Sequence, residues 1–260
     1  MLHARWINGN LAYWDTHQCR IIDAVGPSVC KYINDFVSLP ADDTTGNPTE
    51  WKVTSDTAAD GITLPISTTG GAVNVACGGV DNNETYMQLG TSRSATNAPF
   101  VIGGAAGVAN SKPLYFGIRV KCLEHADEGV FVGLAEEGAS AGNFLADNSG
   151  VIADKDFVGF NILTATPTAW NITWRKNGQA VQAVTGVATN ADDYHIFEFY
   201  YDGATTVTFW VDGVAHATQA TTTAATFPGA EELAPILAVK TGEGTAKSIT
   251  VDWLRVVQFN

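Results

Sequence analysis

From Leu114 to Cys122 the chain reads LYFGIRVKC, with Leu114, Phe116, Ile118, Val120 and Cys122 alternating against Tyr115, Gly117, Arg119 and Lys121. Side chains along a β-strand point to opposite faces with a period of two, so this stretch predicts a strand with one buried and one wet face. Short β-like runs recur at Trp51–Ser55, Ala72–Ala76, Thr85–Leu89, Val130–Leu134, Phe157–Leu163, Trp170–Lys176, Gln179–Thr185, Ile196–Tyr201, Val207–Val211, Ile236–Lys240 and Ser248–Phe259. Asn177-Gly178, Asp202-Gly203 and Asp212-Gly213 lie between neighbouring runs and suit the positive φ angles of tight hairpin turns. Many short strands, close spacing and no long helical period predict an all-β jelly-roll sandwich.

The first 37 residues read differently and are expected to form an N-terminal arm. RWINGNLAYWD places Asn-Gly between two short aromatic runs, a strong hairpin signal. In GPSVCKYINDF, Pro27 stands at a helix start, and Val29, Ile33 and Phe36 follow at spacings of four and three, which predicts a short helix. Trp6, Ile7, Leu11, Tyr13, Trp14, Ile21 and Ile22 are too few to form a core of their own. They must pack on the sandwich, on a sister subunit or on a partner, since leaving them wet forfeits roughly 25 cal/mol per Å². Residues 38–50, SLPADDTTGNPTE, read as a connector, and 51–260 as the sandwich.

Composition narrows the partners. Charged residues make up 16% of the 260, against the ~25% usual in globular domains, and the formal net charge is −13. No run of Lys or Arg offers a stripe for phosphates, so nucleic acid is not an expected partner, and an anionic membrane is repelled. No apolar run approaches the ~18 residues of a membrane span, and MLHARWINGN lacks the layout of a secretion signal, so folding in a cytosol is expected. Cys19, Cys30, Cys77 and Cys122 have no CxxC spacing and read as reduced structural thiols, with a Cys19–Cys30 bridge left open.

Catalytic patterns are scarce. The sequence holds no GxSxG, HExxH, P-loop or strand-linked GxGxxG, and His3, His17, His125, His195 and His216 are scattered singly. Glu124, Asp127 and Glu128, beside His125 in KCLEHADEG, read as a solvated loop rather than a metal site. Asp81-Asn82-Asn83-Glu84 and Ala146-Asp147-Asn148-Ser149 are oxygen-rich but lack ordered calcium-ligand spacing, so turns are favoured. No cofactor or metal is therefore expected. Trp170, Trp174 and Trp210 are candidates for stacking on a sugar ring, with core or interface packing as the competing reading; Trp174 and Trp210 are retained as the glycan-facing pair.

SITVDWLRVVQFN and FEFYYDGATTVTFWVDGVAHAT resemble the closing strands of concanavalin A-like jelly rolls, including laminarinase-type glycoside hydrolases. Such hydrolases carry Glu-x-Asp followed by a second Glu on one strand, aiming the carboxylates into a single cleft. No glutamate here has an aspartate two places on, so the sequence reads as not an enzyme. RWINGNLAYWDTHQCRIIDAVGPSVCKYINDF and LPADDTTGNPTEW, continued by KPLYFGIRVKC, EELAPILAVKTGEGTAKSITVDW and LRVVQ, resemble a group of tailed-phage and prophage virion proteins with this jelly roll. The resemblance implies a trimeric head decoration or cement protein, made in the bacterial cytoplasm, displayed on the capsid surface and bound to the major capsid protein. Trp6, Leu11, Tyr13, Trp14, Ile21 and Ile22 are the expected anchoring residues. The alternative reading is a lectin-like module on a tail or fibre that binds a host-surface glycan.

Overall fold

The computed structural model describes residues 2–15, 19–38, 50–56, 61–63, 70–92, 95–96, 98–104, 112–122, 128–146 and 151–260. The first 37 residues hold β1 (Leu2–Ile7), β2 (Asn10–Asp15) and β3 (Cys19–Val25), which form the arm, and β4 (Val29–Asn34), which joins the sandwich. There follow β5 (Trp51–Ser55), β6 (Gly61–Thr63), β7 (Val73–Cys77), β8 (Glu84–Leu89), β9 (Thr91–Ser92), β10 (Ala95–Thr96), β11 (Phe100–Val101), β12 (Leu114–Cys122) and β13 (Glu128–Glu136). The remainder comprises β14 (Phe157–Ile162), β15 (Ala169–Arg175), β16 (Gln182–Thr189), β17 (His195–Tyr201), β18 (Thr206–Val211), β19 (Val214–Thr221), β20 (Glu232–Thr241) and β21 (Lys247–Phe259).

Two antiparallel sheets face each other. Sheet I runs β19-β18-β17-β12-β21-β7-β6, with β4 also on β21, and sheet II runs β16-β15-β14-β13-β20-β8-β5, with β11 also on β20. On β12 the facing row is the one that the alternation predicts, Leu114, Phe116, Ile118 and Val120, and it is buried in one core with Val207 and Phe209 of β18 and Val158, Phe160 and Ile162 of β14. Phe116 stacks on Phe199 and Phe160 on Phe197, each pair with ring centroids 4.8 Å apart. All four dipeptides sit in turns, but at Asn177-Gly178 and Asp202-Gly203 only the glycine has a positive φ, 77° and 79°. Asn8 and Gly9 adopt φ of 46° and 75°, and Asp212 and Gly213 50° and 77°, the two positive angles of a turn whose twist matches that of the strands it joins.

Two expectations are corrected. The segment expected to be a short helix is strand β4, paired in unbroken register with β21 from Val29↔Phe259 to Asn34↔Leu254. Val29 and Ile33 are β-branched, and β21 offers a long edge beyond β7, so tertiary pairing overrides the three-and-four spacing. The outward face of β12 is also not wet throughout: Tyr115 is fully buried beneath the arm. Gly117 makes room for it, since a Cβ there would sit 2.2 Å from the Tyr115 hydroxyl.

Candidate functional site

Strands β1, β2 and β3 form a separate antiparallel sheet laid on the outer face of sheet I. Its inward row includes Ala12 and Ala24, cross-strand partners that are both buried against Tyr115, Trp253, Val257 and Phe259, with Ile7 and Ile22 at the margin. Glu198 of β17 lies beneath this layer, fully buried. Its Oε1 accepts the Tyr115 hydroxyl at 2.9 Å and the backbone N–H of Arg20 on β3. Burial pushes the Glu198 carboxyl above its ordinary pKa, while those two hydrogen bonds and the Arg20 charge pull it back. The Arg20 side chain continues over the Trp210 ring, 4.8 Å from its centroid, and donates to the Gly213 carbonyl at 2.9 Å. Arg5 fastens the other end, reaching the rings of Trp14 (5.2 Å) and Tyr200 (5.9 Å).

The outward row of the arm has a different character. Trp6 opposes Leu11, and Leu11 opposes Val25, so the three side chains stand side by side on one face; Ala4, Tyr13 and Asp23 form the next row. Leu2, Trp6 and Val25 are 61%, 71% and 57% exposed. Three of the expected anchoring residues, Trp6, Leu11 and Tyr13, therefore lie on this open face. Trp14 points inward, its ring 5.6 Å from that of His3. Ile21 is corrected: it is buried, because β3 is the arm strand that passes over β12, β17 and β21, while Ile22 is half-buried at the sandwich margin.

The expected glycan-facing pair is corrected as well. Trp174 shares the inward row of β15 with Trp170 and Ile172 and stacks on Phe209 at 5.8 Å inside the core. Trp210 is on the outer face but lies under Arg20. Of the loop acids, Glu124 and Asp127, with His125, lie outside the described residues. Glu128 opens β13, fully buried, its Oε2 2.6 Å from the Cys122 thiol. Glu84, expected in a turn, is buried on β8, where it accepts Lys240 Nζ at 3.1 Å and the Asn143 N–H at 2.7 Å. Asp147, Asn148 and Ser149 lie outside the described residues. Cys30, Cys77 and Cys122 are free thiols, and the side chain of Cys19 lies outside the described residues.

Sequence reasoning missed two further features. Part of the outer face of sheet II is roofed by Ala139, Phe144, Leu145 and Ile152, which pack on Tyr86, Phe131, Phe157, Ile236 and Ala238. The available signal was a second set of aromatics, Tyr86, Phe131 and Phe157, at the outward parity of strands whose inward rows were already apolar. At the end of the same sheet, Glu136 accepts the Asp156 N–H at 2.9 Å and pairs with Lys155 at 2.7 Å. Burial, with the nearby Glu136 and Glu231, pushes the Asp156 carboxyl up to about 6, against the pull of the Asn177 N–H that it accepts. The second missed feature is a groove of about 700 Å³ between the arm and the sandwich, lined by Ile22, Asp23, Lys31 to Asp35, Ser38, Glu50 and Arg255. In it the Tyr32 hydroxyl accepts from Trp51 Nε1 (3.0 Å) and Asn34 Nδ2 (2.8 Å) and donates to Glu50 at 3.2 Å. Burial pushes that phenol up to about 12.

No family model and no curated protein matches the sequence. Solved structures do match. The laminarinase catalytic domain of Thermotoga maritima aligns at a TM-score of 0.55 and 13% identity, over 87% of this chain and 96% of its own. The Bacillus licheniformis β-glucanase aligns at 0.52 and 12%, over 87% and 97%. The Emp47p carbohydrate recognition domain aligns at 0.53 and 11%, over 91% and 98%. The chain has the concanavalin A-like jelly-roll fold. At these identities the likeness carries the fold alone. It nevertheless corrects the reading of the sequence as not an enzyme: several glucanases and laminarinases are among the matching structures, so this scaffold is one that hydrolases use. The missing Glu-x-Asp pattern removes one arrangement of carboxylates and does not exclude an enzyme.

Proposed function

We propose that this chain is a virion structural protein of a tailed bacteriophage, a head decoration or cement protein that grips the major capsid protein through the outer face of its arm. The observation that carries this reading is the exposed row of Trp6, Leu11 and Val25, continued by Leu2 and Tyr13, on a small sheet whose other face is fixed to the sandwich. A rigid platform presenting a Trp and aliphatic neighbours has the composition of an interface core. The resemblance of the arm to phage virion proteins supplies the partner. In this reading the protein is made in the bacterial cytoplasm, assembles as a trimer and sits on the capsid surface, where repeated weak contacts add up to firm attachment. A second reading, a glycan-binding module on a tail or fibre, draws on the fold shared with the Emp47p carbohydrate recognition domain; saccharide binding on a glycan array would favour it.

The test is binding to capsids purified without the protein. Deleting the arm would uncover Tyr115, Trp253 and Val257, so point changes are preferable. Trp6→Ser with Val25→Ser is expected to weaken capsid binding by about 100-fold, as removal of a central aromatic anchor does. Val214→Ser, at a 71% exposed site on β19, serves as the control and leaves binding unchanged. Equal binding by the double variant would contradict the proposal.

A further inference from the structure

The groove beside β4 is an open strand edge with a wall on either side. β4 pairs with β21, and among the described residues no strand pairs with its other edge. The Asn260 N–H donates to the Ser28 carbonyl at 2.8 Å, which fixes the alternation. Residues 28, 30, 32 and 34 turn their backbone groups toward β21, and Lys31 and Ile33 turn theirs toward the groove. The side chains from both faces of β4 line the same cavity: Lys31 and Ile33 with Ile22 and Asp23 of the arm on one side, Tyr32 and Asn34 with Glu50 on the other. A cavity that wraps around a strand edge in this way has the shape of a slot for one more strand.

Two other strand edges are blunted, and this one is not. The β15–β16 pairing shifts register between Trp170 and Ile172, with Gly186 at φ 73°, and the β18–β19 pairing shifts between Thr208 and Trp210. Irregularities of this kind twist an edge away from further pairing. Across the six pairs of β4 with β21 the register does not shift. Lys31, which would guard the edge if it lay across it, is drawn aside to Asp23 (2.5 Å) and the Ala24 carbonyl (2.9 Å).

We propose that this groove binds an extended peptide segment by strand addition to β4, and that the segment is basic with alternating aliphatic residues. Five consecutive residues, Lys31 to Asp35, line the groove, about 17 Å of strand at ~3.3 Å per residue. The charge follows from the lining. Lys31 is held by Asp23 and Arg255 by Asp35 at 3.3 Å, whereas among the described residues no cation pairs with Glu50, whose partner is the Tyr32 hydroxyl. The chain as a whole carries −13, which also attracts a basic segment. Aliphatic side chains of the added strand meet Ile22 and Ile33, and a Lys or Arg on its opposite face meets Glu50. This surface meets the outer face of the arm at Asp23 and does not depend on the capsid assignment.

The probe is a heptapeptide of alternating valine and lysine, titrated into the intact protein and followed by isotope-edited NMR and amide hydrogen exchange. Binding is expected to slow exchange at the Lys31 and Ile33 amides. N-methylation of alternate peptide residues, which removes the donors that a ladder needs and leaves the protein untouched, should abolish binding. Glu50→Lys should weaken it by roughly tenfold, and an alternating valine–glutamate heptapeptide should fail to bind. The proposal is overturned by any of three results: no binding of the valine–lysine peptide, equal binding of its N-methylated form, or Lys31 and Ile33 amides already slow in the free protein and unchanged by peptide.

Discussion

Replacing Glu198 by alanine should loosen the arm before it loosens the sandwich. The carboxylate accepts from the Tyr115 hydroxyl at 2.9 Å and from the Arg20 N–H, and its removal leaves both donors buried without it. Hydrogen bonds to a charged acceptor contribute about 1.5 to 3 kcal/mol each. Part of that is returned, because a charge that was costly to bury is no longer there. A net loss of about 3 kcal/mol in arm docking remains, or two decades in a local opening equilibrium at roughly 1.4 kcal/mol per tenfold. Hydrogen exchange of the β2 and β3 amides should therefore accelerate about 100-fold, while amides of β13 and β14 in sheet II keep their protection. Glu198→Gln, which retains an acceptor and removes the charge, should change exchange in the arm by less than about fivefold. Unchanged arm exchange in Glu198→Ala, or equal acceleration throughout the sandwich, would refute the idea that this carboxylate latches the arm.

Other consequences are open to measurement. Gly117→Ala places a Cβ 2.2 Å from the Tyr115 hydroxyl and should lower stability in urea by about 1 to 3 kcal/mol. Trp174→Ala empties a core site stacked on Phe209 and should cost about 3 to 5 kcal/mol, whereas Trp6→Ser on the open face should stay within about 0.5 kcal/mol, a contrast that denaturant melts resolve. Asp156 has a folded-state pKa of about 6, raised above the ordinary carboxylate value near 3.8, so its contribution is fully present below the lower value and is lost as pH rises through the higher. Asp156→Asn should therefore gain on the wild type between pH 4 and pH 6.5, by about 1 to 2 kcal/mol after allowance for solvent at the rim, and parallel melts across that range would check the sign.

The parts of this fold that could be read from the sequence are those where one physical signal acts alone. The alternation in β12 assigns Leu114, Phe116, Ile118 and Val120 to the core, because their neighbours on the other face include Arg119 and Lys121, and all four are buried there. The Asn8-Gly9 and Asp212-Gly213 turns are legible because few residues accept two positive φ angles, and Asn177-Gly178 and Asp202-Gly203 because the glycine takes the one that those turns require. Where two signals compete, the local one loses. Val29, Ile33 and Phe36 have helical spacing, yet the long edge of β21 captures the segment as a strand. Trp174 was assigned by residue type, when its parity with Trp170 already pointed inward. The arm's two faces were not separable either. Residues 6, 14 and 21 are all apolar, and what sorts them is the fit of the inward row around Tyr115 and Glu198, a contact made across more than 80 residues of chain. The groove beside β4 could not be read at all, since it exists only once β3, β4, β21 and Glu50 meet.

The proposed attachment to a phage head is most directly tested by counting. Quantitative mass spectrometry of virions purified from a strain encoding this chain should find hundreds of copies per particle, as repeated occupancy of a capsid lattice requires. A handful of copies, or none, would contradict the account.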